Sequence, residues 1–403
     1  MKANYKPIGK LIKVVDERNK GLRVENLLGL SISKEFIPSV ANIIGTDMEN
    51  YKIIRKNQFA CSTMQVRRDK KMPVALLQKV DEAIISQAYP IFEVINTNEL
   101  LPEYLMMWFT RSEFDREACF HAVGGVRGSL EWEDFCDMQL PVPSIEKQCE
   151  IVKEYNVIQN RITLNQQLIQ KLEETAQAIY KQWFVEFEFP NENGLPYKSN
   201  GGEMVESEMG EIPKGWRINS FTNIVKLSGG GTPDTNTQKY WNGDIPFFTP
   251  ADVTGNYYSI CTEKNVTELG LKNSSTKLYP MNTVFVTARG TVGAISLAGC
   301  EMTMNQSCYA ITGTNEMNQY FAHQITLSVI AKLKNEAVGA VFAALVTKDF
   351  DSQILTEPNK NSIRMYGVKI KPIYDNILNI IKENQKLSEL KDLLLSKLST
   401  IEN

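Results

Sequence analysis

The feature that most constrains the fold of this chain is an internal repeat. A tyrosine stands ten residues before an Asn-Gln pair, once as Tyr155 before Asn165-Gln166 and again as Tyr374 before Asn384-Gln385. Matched residues also lie upstream of each copy: Gly124-x-Val126, Leu130, Asp134-Phe135, Leu140 and Pro143 correspond to Gly339-x-Val341, Leu345, Asp349-Phe350, Leu355 and Pro358, and Gln87, Tyr89 and Ile91 resemble Gln306, Tyr309 and Ile311. This repetition predicts a chain that runs globule, helix, globule, helix.

The segment after the first globule has the period of a coiled coil. Apolar positions recur at alternating steps of four and three, along a seam formed by Ile151, Tyr155, Ile158, Ile162, Asn165, Ile169, Leu172, Ala176, Ile179 and Trp183. A second helix, predicted from about Pro372 to Ile401, has a rougher seam through Ile373, Ile377, Ile380, Asn384, Leu387, Leu390 and Leu394. A first helix from about Ser144 to Glu186 would span on the order of 60 Å.

An asparagine interrupts each seam at the equivalent position. Asn165 and Asn384 either pair across the helix interface and fix its register, or face solvent in a slightly shifted register, and the period alone leaves both open. Each helix has an apolar stripe that must be covered, and the other helix is the economical partner. Antiparallel pairing would relate the repeats by a pseudo-two-fold axis, with packing by Ile158, Ile162, Asn165, Ile169, Leu172, Ile377, Asn384 and Leu387.

The globules have the content of mixed domains with short strands. Thr283–Arg289 is rich in β-branched and aromatic residues and ends at Gly290, and Gly293–Gly299 fits a hairpin partner. The predicted fold class is therefore α+β, with two globular domains in pseudo-two-fold repeat, separated by two long helices that pair as an antiparallel coiled coil. The predicted segments are residues 1–143 for the first domain, 144–190 for the first spacer helix, 191–358 for the second domain (191–215 as a linker) and 359–403 for the second spacer helix.

Composition limits the class of protein. With 403 residues, 43% hydrophobic and 23% charged, the chain reads as a soluble protein of two or more globular domains. The apolar stretch around Val338 to Val346 is too short to cross a bilayer, and the N-terminus has no apolar signal core, so we expect a cytoplasmic protein with no membrane partner. Seven cysteines without a Cys-x-x-Cys pair indicate neither a disulfide framework nor a zinc site. A net charge of −3 means that nucleic-acid binding would need a local basic face or a basic partner.

Several motifs resemble a known family. Ala178–Phe187, Tyr197–Met204 and Gly210–Trp216 look like the central conserved region of type I restriction–modification specificity subunits. Motifs similar to the second target-recognition domain of that family are Gly231-Thr232-Pro233, Tyr240–Pro246, Thr287–Gly293 and Asn305–Ser307, and those similar to the end of a first one are Leu130–Trp132, Asp134-Phe135, Leu140–Pro143 and Gln148. The resemblance covers almost the whole chain, and the order of parts matches. It departs at Leu355-Thr356-Glu357-Pro358, which leaves the join to the second helix in doubt.

The resemblance implies a non-catalytic DNA-specificity subunit. Each target-recognition domain would read half of a bipartite, asymmetric site in double-stranded DNA, and the helical spacer would set the gap between the halves. The implied partners are two modification subunits, which methylate adenine with S-adenosylmethionine, and through them the ATP-driven restriction subunits; S-adenosylmethionine, ATP and Mg would be held by these partners and no cofactor by this chain. The sequence has no methyltransferase Asn-Pro-Pro-Tyr motif and no Walker lysine, and its only histidines are His121 and His323.

Candidate DNA contacts are polar residues at strand ends and in glycine-flanked loops, because such side chains pair with base edges and phosphates. In the first domain we select Lys34, Arg67, Arg68, Gly124, Arg127 and Ser129, and in the second Gly230, Thr232, Tyr240, Arg289, Asn305 and Gln306. The run Leu227–Asp234 is a loop that either contacts a phosphate through its glycines or forms a plain tight turn. Two other classes stay open, a free-standing bivalent DNA-binding regulator and a coiled-coil adaptor that binds only proteins.

Overall fold

The computed structural model describes residues 4–39, 46–124, 128–314, 317–336 and 344–400. The chain divides into two compact units. The first unit contains Met1–Ile162 and Lys386–Asn403, and the second contains Thr163–Gln385. Each unit therefore combines one globular part with a portion of each long helix. Within the described ranges, no helix is long and apolar enough to cross a membrane.

The first unit is built from short strands and helices that precede a long helix. Its strands are β1 (Tyr5–Pro7), β2 (Ile12–Val15), β3 (Glu17–Arg18), β4 (Leu28–Leu30), β5 (Phe36–Pro38), β6 (Lys52–Arg55), β7 (Phe59–Cys61), β8 (Val74–Leu76), β9 (Glu82–Ile85), β10 (Ile91–Val94) and β11 (Gln139–Pro141). Its helices are α1 (Val66–Asp69), α2 (Pro102–Thr110), α3 (Ser112–His121) and α4 (Trp132–Asp137), and the long helix α5 (Ile145–Phe184) begins here and continues into the second unit.

A four-stranded antiparallel sheet in the order β2-β10-β7-β8 forms the centre of the first unit. Because side chains alternate along a strand, each face of this sheet has its own core. On one face Phe59 and Phe92 stack with ring centroids 5.0 Å apart, and Phe109 of α2 and Phe135 of α4 cover them. On the other face Ala60 packs against the small sheet β3-β6-β9.

The second unit repeats this plan with longer strands. Its strands are β12 (Met204–Val205), β13 (Ile212–Pro213), β14 (Arg217–Ser220), β15 (Val225–Gly229), β16 (Trp241–Phe248), β17 (Tyr258–Ser259), β18 (Lys264–Val266), β19 (Val284–Thr287), β20 (Ile295–Ala298), β21 (Thr303–Met304), β22 (Cys308–Gly313) and β23 (Ile354–Glu357). Its helices are α6 (Phe221–Ile224), α7 (Glu268–Lys272), α8 (Gln319–Glu336), α9 (Thr347–Asp351) and the first part of α10 (Lys360–Lys397).

A five-stranded sheet in the order β15-β22-β19-β20-β17 forms the centre of the second unit. All pairings are antiparallel except that of β17 with β20, which is parallel. Val284 and Ile311 lie on the face that α8 covers with Phe321. On the other face Phe285 packs against Phe248 of the sheet β18-β16-β21, with ring centroids 4.9 Å apart.

The internal repeat predicted from the sequence is present in the strand order and in the hydrogen bonding. The order β2-β10-β7-β8 in the first unit matches β15-β22-β19-β20 in the second. The amide of Leu130 donates to the carbonyl of Thr63, and the amide of Leu345 donates to the carbonyl of Ala288, both at 2.9 Å. The repeat residues Val126, Gly339 and Val341 lie outside the described residues.

One repeat match is displaced by a residue. Phe92 pairs with Phe59 in β7, and Ile311 pairs with Val284 in β19. Phe59 stands four residues before Thr63, and Val284 stands four residues before Ala288, the residues whose carbonyls accept the equivalent hydrogen bonds. Phe59 and Val284 are therefore equivalent. Phe92 and not Ile91 is therefore the counterpart of Ile311, because a one-residue shift moves a side chain to the opposite face of the sheet.

The long helices bury the seam predicted from their period. Of the residues expected to pack, Ile162, Ile169 and Ile377 are buried, and Ile158, Leu172 and Leu387 are half-buried. Within the second unit, Nδ2 of Asn165 donates to Oδ1 of Asn384 at 2.8 Å. The pairing alternative left open by the sequence is the one that the structure contains, and it joins two residues at equivalent repeat positions.

The second long helix begins earlier than its apolar period indicated, near residue 359, where the predicted helix segment begins. It starts at Lys360, so Pro372, which we expected at its beginning, lies inside it. A proline in a helix removes the hydrogen bond to the carbonyl four residues earlier. That earlier residue is Val368, which is 75% exposed, so water can hydrate the freed carbonyl. Exposure on this side makes an internal proline tolerable.

The join that the sequence left in doubt is now placed. β23 ends at Glu357 and α10 begins at Lys360. Tyr155 stands ten residues after the start of α5, whereas Tyr374 stands fourteen residues after the start of α10. The four additional residues of the second repeat are therefore helical. Because an α-helix has about 3.6 residues per turn, this insertion adds roughly one turn and largely preserves the face that points to the core.

The predicted seam of the second helix needs correction. Leu390, which we placed in the seam, is 49% exposed. Deeper burial occurs at Tyr374, Leu378 and Ile381, which the seam omitted. These residues also pack against the globular part of their unit, so the buried stripe is wider than a two-helix seam requires.

A buried polar network joins α5, α8 and α10 in the second unit. The hydroxyl of Tyr374 is hydrogen-bonded to Nδ1 of His323 and accepts from Nε2 of Gln324, each at 2.8 Å. The hydroxyl of Tyr257 accepts from the same amide at 3.3 Å and donates to the carbonyl of Glu173 at 3.2 Å. Burial lowers the pKa of His323 to about 3, so the imidazole is neutral in the folded protein.

We expect the asparagine pair to set register at a cost in stability. Asn384→Leu should lower the stability of the second unit by about 1 kcal/mol, because it removes the acceptor of the buried amide of Asn165. The double variant Asn165→Leu, Asn384→Leu should restore stability to at least the wild-type level, since an apolar seam is more stable than one interrupted by a polar pair. Calorimetric melting of the three proteins measures this; a double variant no more stable than the single would contradict it.

The neutral His323 predicts a pH dependence of stability. A histidine in the unfolded chain has a pKa of about 6.5, so protonation favours unfolding below that pH. The contribution of the neutral His323 to the free energy of unfolding is complete above about pH 6.5 and is lost as the pH falls toward 3. At pH 4 the free energy of unfolding should be lower by about 3 kcal/mol. Urea unfolding of His323→Gln should show a flatter pH profile than wild type in this window. His121→Gln is the control, because His121 is exposed; equal slopes in wild type and His323→Gln would refute the assignment.

Candidate nucleic-acid interface

Three central strands of the second unit meet at one end of its sheet. β15 and β19 end there and β22 begins there, as the pairs Gly229 with Tyr309 and Thr287 with Cys308 show. The segments that continue from these strand ends contain the motifs selected from the sequence. The fold therefore brings the glycine run, the Thr-Ala-Arg-Gly turn and the Asn-Gln-Ser segment to a common edge, which we call the sheet end.

The glycine run is explained by close packing of backbones. A Cβ on Gly230 would lie 2.0 Å from the carbonyl oxygen of Asn305, and one on Gly231 would lie 2.1 Å from Oγ of Ser275. The amide of Gly230 donates to the carbonyl of Cys308 at 3.4 Å, and that of Gly231 to Met304 at 3.2 Å. Because these amides already donate to protein carbonyls, they are not available as donors to a DNA phosphate. The close approach of neighbouring backbones accounts for the glycines at these positions.

Side chains of the sheet end are held next to one another. The hydroxyl of Thr232 donates to Oε1 of Gln306, and Oδ1 of Asn305 accepts from the amide of Ser307 at 3.0 Å. The amide of Ala288 donates to the carbonyl of Ser307 at 2.7 Å, which continues the β19–β22 register by one pair beyond the ladder. The next pair in this register is Arg289 with Gln306. With Gly230, whose backbone lies against Asn305, the structure thus assembles five of the six candidates of the second domain.

Arg289 is an exposed cation at this edge. It directly precedes Gly290, whose φ of 79° turns the chain away from the sheet. Among the described residues none forms a hydrogen bond or ion pair with its guanidinium. Tyr240 lies elsewhere in the unit, in a single helical turn (Gln238–Tyr240) where a Cβ on Gly270 would lie 2.5 Å from its carbonyl oxygen.

The first unit brings a second set of candidates together. Nη1 of Arg67 donates to the carbonyl of Gly124 at 3.2 Å, and the backbones of Val123 and Ser129 exchange two hydrogen bonds of 2.9 Å. A Cβ on Gly128 would lie 2.8 Å from Cβ of Arg67, so only glycine fits beside this arginine. Arg67, Gly124 and Ser129 are therefore neighbours, and Arg127 lies outside the described residues.

Arg68 is exposed but already has an anionic neighbour. Its Nε and Nη2 donate to the two carboxylate oxygens of Asp69 at 2.6 and 3.0 Å. This guanidinium lowers the pKa of the Asp69 carboxyl. Because the pair is open to solvent, a phosphate could compete for the guanidinium with little loss of stability.

Lys34 is placed differently from the prediction. Its ammonium is buried, lies 2.8 Å from a carboxylate oxygen of Asp115 and donates to the carbonyl of Phe109. A lysine held in this way cannot reach DNA without breaking a buried ion pair, which is costly. Lys34 is therefore a structural residue of the first unit, and we remove it from the candidate contacts.

The sequence-based selection missed other exposed residues of this surface. Lys70 and Lys71 are exposed and directly follow α1, and Met64, exposed by 49%, stands two residues before its start. The signal was visible in the sequence as the basic run from Arg67 to Lys71. A cluster of four basic residues provides the local positive charge that the net charge of −3 required. Among the described residues no group of histidine, cysteine and acidic side chains could hold a metal ion.

Comparison with known proteins identifies the family. The model of the type I restriction modification DNA specificity domain matches residues 41–174 and 213–392. The HindI specificity subunit of a type I restriction enzyme from Haemophilus influenzae is 23% identical over 374 residues, which cover 79% of this chain and 81% of the relative. The MjaIX specificity subunit from Methanocaldococcus jannaschii is 27% identical over 192 residues, 47% of this chain and 44% of the relative.

A solved structure has the same fold. The S subunit of a type I restriction–modification system from M. genitalium superposes with a TM-score of 0.59 at 13% identity, covering 99% of this chain and 96% of that one. The family match covers most of the chain and falls on both repeats. This chain therefore belongs to the family of type I restriction modification DNA specificity domains.

Proposed function

We propose that this chain reads a bipartite, asymmetric site in double-stranded DNA and directs adenine methylation and restriction by partner subunits. The observation that carries the proposal is the coincidence of two repeats with two matches to a DNA specificity domain. Each repeat contains the same sheet, and each has exposed arginines near the strand ends where loops emerge. As a specificity subunit the chain is not itself an enzyme.

DNA contact is assigned to the loop edge of each sheet. In the second unit Thr232, Arg289, Asn305 and Gln306 present hydroxyl, guanidinium and amide groups, which are the groups that pair with base edges and phosphates. In the first unit Arg67 and Arg68 supply positive charge, and Gly124 and Ser129 lie in the adjacent loop. The two edges differ in side chains, which supports recognition of two different half-sites.

The long helices are assigned the role of a spacer. α5 is 40 residues long and contributes to both units. Its seam is apolar apart from the asparagine pair, so the register with α10 is fixed. A helix pair of fixed register is a suitable ruler, and we propose that it determines the number of base pairs between the half-sites.

The proposed partners are those that membership of the specificity-subunit family implies. We propose that two modification subunits bind it and supply S-adenosylmethionine-dependent methylation, and that restriction subunits join through them and use ATP and Mg. Those cofactors belong to the partners. The net charge of −3 supports such an assembly, because much of the charge that neutralises DNA phosphates would come from the other subunits.

The proposed function predicts a methylation pattern. Co-expression of this chain with its modification subunit in a methylation-free host should produce methyladenine on both strands of one bipartite motif, detected by sequencing of modified bases. Arg289→Ala should reduce methylation at that motif at least tenfold, because it removes an exposed guanidinium from the sheet end. Lys348→Ala is a matched control on the exposed side of α9. A stable complex that methylates no motif would contradict the proposal.

The spacer role predicts a change in the gap of the recognised site. Seven residues centred on Gln159 (156–162) and seven centred on Lys391 (388–394) lie opposite each other, since Nζ of Lys391 donates to Oε1 of Gln159 at 3.2 Å, and removing them leaves the Asn165–Asn384 pair in place. Removing both segments shortens the helix pair by about 10 Å and turns its faces by only about 20°. The gap should shrink by about three base pairs while both half-site sequences stay the same. An unchanged gap in the methylated motif would exclude the ruler.

A further inference from the structure

Two parallel strands of the second unit continue side by side beyond their assigned ends. In the ladder of β17 with β20, Ser259 stands opposite Ala298. The amide of Gly299 donates to the carbonyl of Ser259 at 2.8 Å. A Cβ on Gly299 would lie 2.6 Å from Cγ2 and 3.3 Å from Cα of Ile260. The pairing therefore extends by one position, and the next residue on each strand is a cysteine.

The two cysteines, Cys261 and Cys300, share one face of the sheet. Side chains alternate along a strand, so Cys261 points to the same side as Ser259 and Cys300 to the same side as Ala298. Oγ of Ser259 lies 2.8 Å from Oγ of Ser296, so Ser259 and Ser296 lie on the same face of the sheet. Ala298, two residues after Ser296, lies on that face as well, and Cys261 and Cys300 follow on it. Neighbouring strands lie about 4.8 Å apart, within the range of Cα separations that a disulfide spans.

The two thiols differ in exposure. Both cysteines are reduced; Cys261 is exposed and Cys300 is half-buried. Burial raises the pKa of Cys300, the positive charge of Lys382 opposes this, and the thiol of Cys261 lies near enough to raise the pKa further. An accessible thiol beside a sheltered one is the arrangement of an oxidisable cysteine and its resolving partner.

We propose that Cys261 and Cys300 are a modification site, a thiol pair that closes to an intramolecular disulfide when a peroxide reaches Cys261. This proposal is independent of the proposed function. The seven cysteines include no Cys-x-x-Cys pair, so sequence spacing could not reveal the site. It arises from the parallel register of two strands that are distant along the chain.

The chemistry balances with hydrogen peroxide as the oxidant. The thiolate of Cys261 attacks one peroxide oxygen, the O–O bond breaks, and a sulfenic acid and one water form. The thiolate of Cys300 then attacks the sulfenic sulfur, the S–S bond forms and the S–O bond breaks, releasing a second water. The two sulfurs lose two electrons to the peroxide, and the two thiol protons end in water.

The disulfide would fix the edge strand β17 in place next to helix α5. β17 follows directly on Tyr257, whose amide donates to a carboxylate oxygen of Glu173 at 2.8 Å and whose hydroxyl donates to the carbonyl of the same residue at 3.2 Å. Nε2 of Gln177 donates to this hydroxyl at 3.3 Å. Among the strands that the structure describes, β17 pairs with β20 alone, so a covalent link at its end would restrain the contact with α5.

The test is peroxide treatment of the purified full-length chain, followed by non-reducing peptide mapping. We expect a peptide cross-linked through Cys261 and Cys300, a loss of two hydrogen atoms from the intact mass, and reversal by dithiothreitol. Cys261→Ser should abolish the cross-link, whereas Cys149→Ser, at an exposed cysteine on α5, should leave it unchanged. Separate oxygen adducts on Cys149 and Cys261 without the cross-link would overturn the proposal.

A second measurement tests whether the disulfide restrains β17. Hydrogen exchange of the backbone amides in residues 257–260 should slow about tenfold on oxidation, because a covalent link suppresses local opening of an edge strand. The same treatment of Cys300→Ser should leave the exchange rate unchanged. Equal rates in oxidised and reduced wild type, with the cross-link present, would show that the disulfide does not restrain this strand.

Discussion

The amide hydrogen bond between Asn165 and Asn384 fixes the register on which the other packing of the helices depends. A purely apolar seam could slide by a heptad with little change in buried area, whereas such a shift would separate the buried amide of Asn165 from its acceptor on Asn384. Equivalent residues of the repeat meet at this bond. Consequently the residues on either side of it, such as Ile169 and Ile377, are buried against partners set by the same register. The globular part of the second unit then adds Tyr374 and His323 to that frame.

Both units are built on a sheet with the same strand order. In each sheet the four shared strands, numbered along the chain, lie in the order first, fourth, second, third. This order brings the ends of the first and second strands and the start of the fourth to one edge, where loops can differ without disturbing the core. The hydrophobic faces are covered by α2 and α4 in the first unit and by α8 in the second. Backbone carbonyls hold the candidate residues in both units. At the sheet end of the second unit the carbonyl of Ser307 accepts from the amide of Ala288, and in the first unit the carbonyl of Gly124 accepts from the side chain of Arg67. Folding energy and candidate DNA contacts thus come from different parts of each unit.

The sequence predicted the repeat, the seam and the asparagine pair because all three depend on spacing along one helix or between two copies. It failed where partners are distant in sequence. Lys34 reads as a free cation until Asp115 is folded against it. The apolar period placed the start of α10 at Pro372 because proline is a strong local signal, and the exposure of Val368 makes this proline harmless inside the helix. The one-residue error at Ile91 arose because similarity of residue type does not determine strand register.

The glycines of the second unit have a consequence for how such a protein diversifies. Gly230 and Gly231 cannot accept a side chain, since their backbones lie against Asn305 and Ser275, so the path of this loop is frozen. Thr232 follows this loop, half-buried and bonded to Gln306, and Arg289 is exposed at the neighbouring end of β19. Substitutions at such positions change the chemical groups on offer without moving the backbone. Under the proposed function, a lineage would acquire new target sequences by point mutation while it inherits an unaltered scaffold, so that recognition and folding evolve separately.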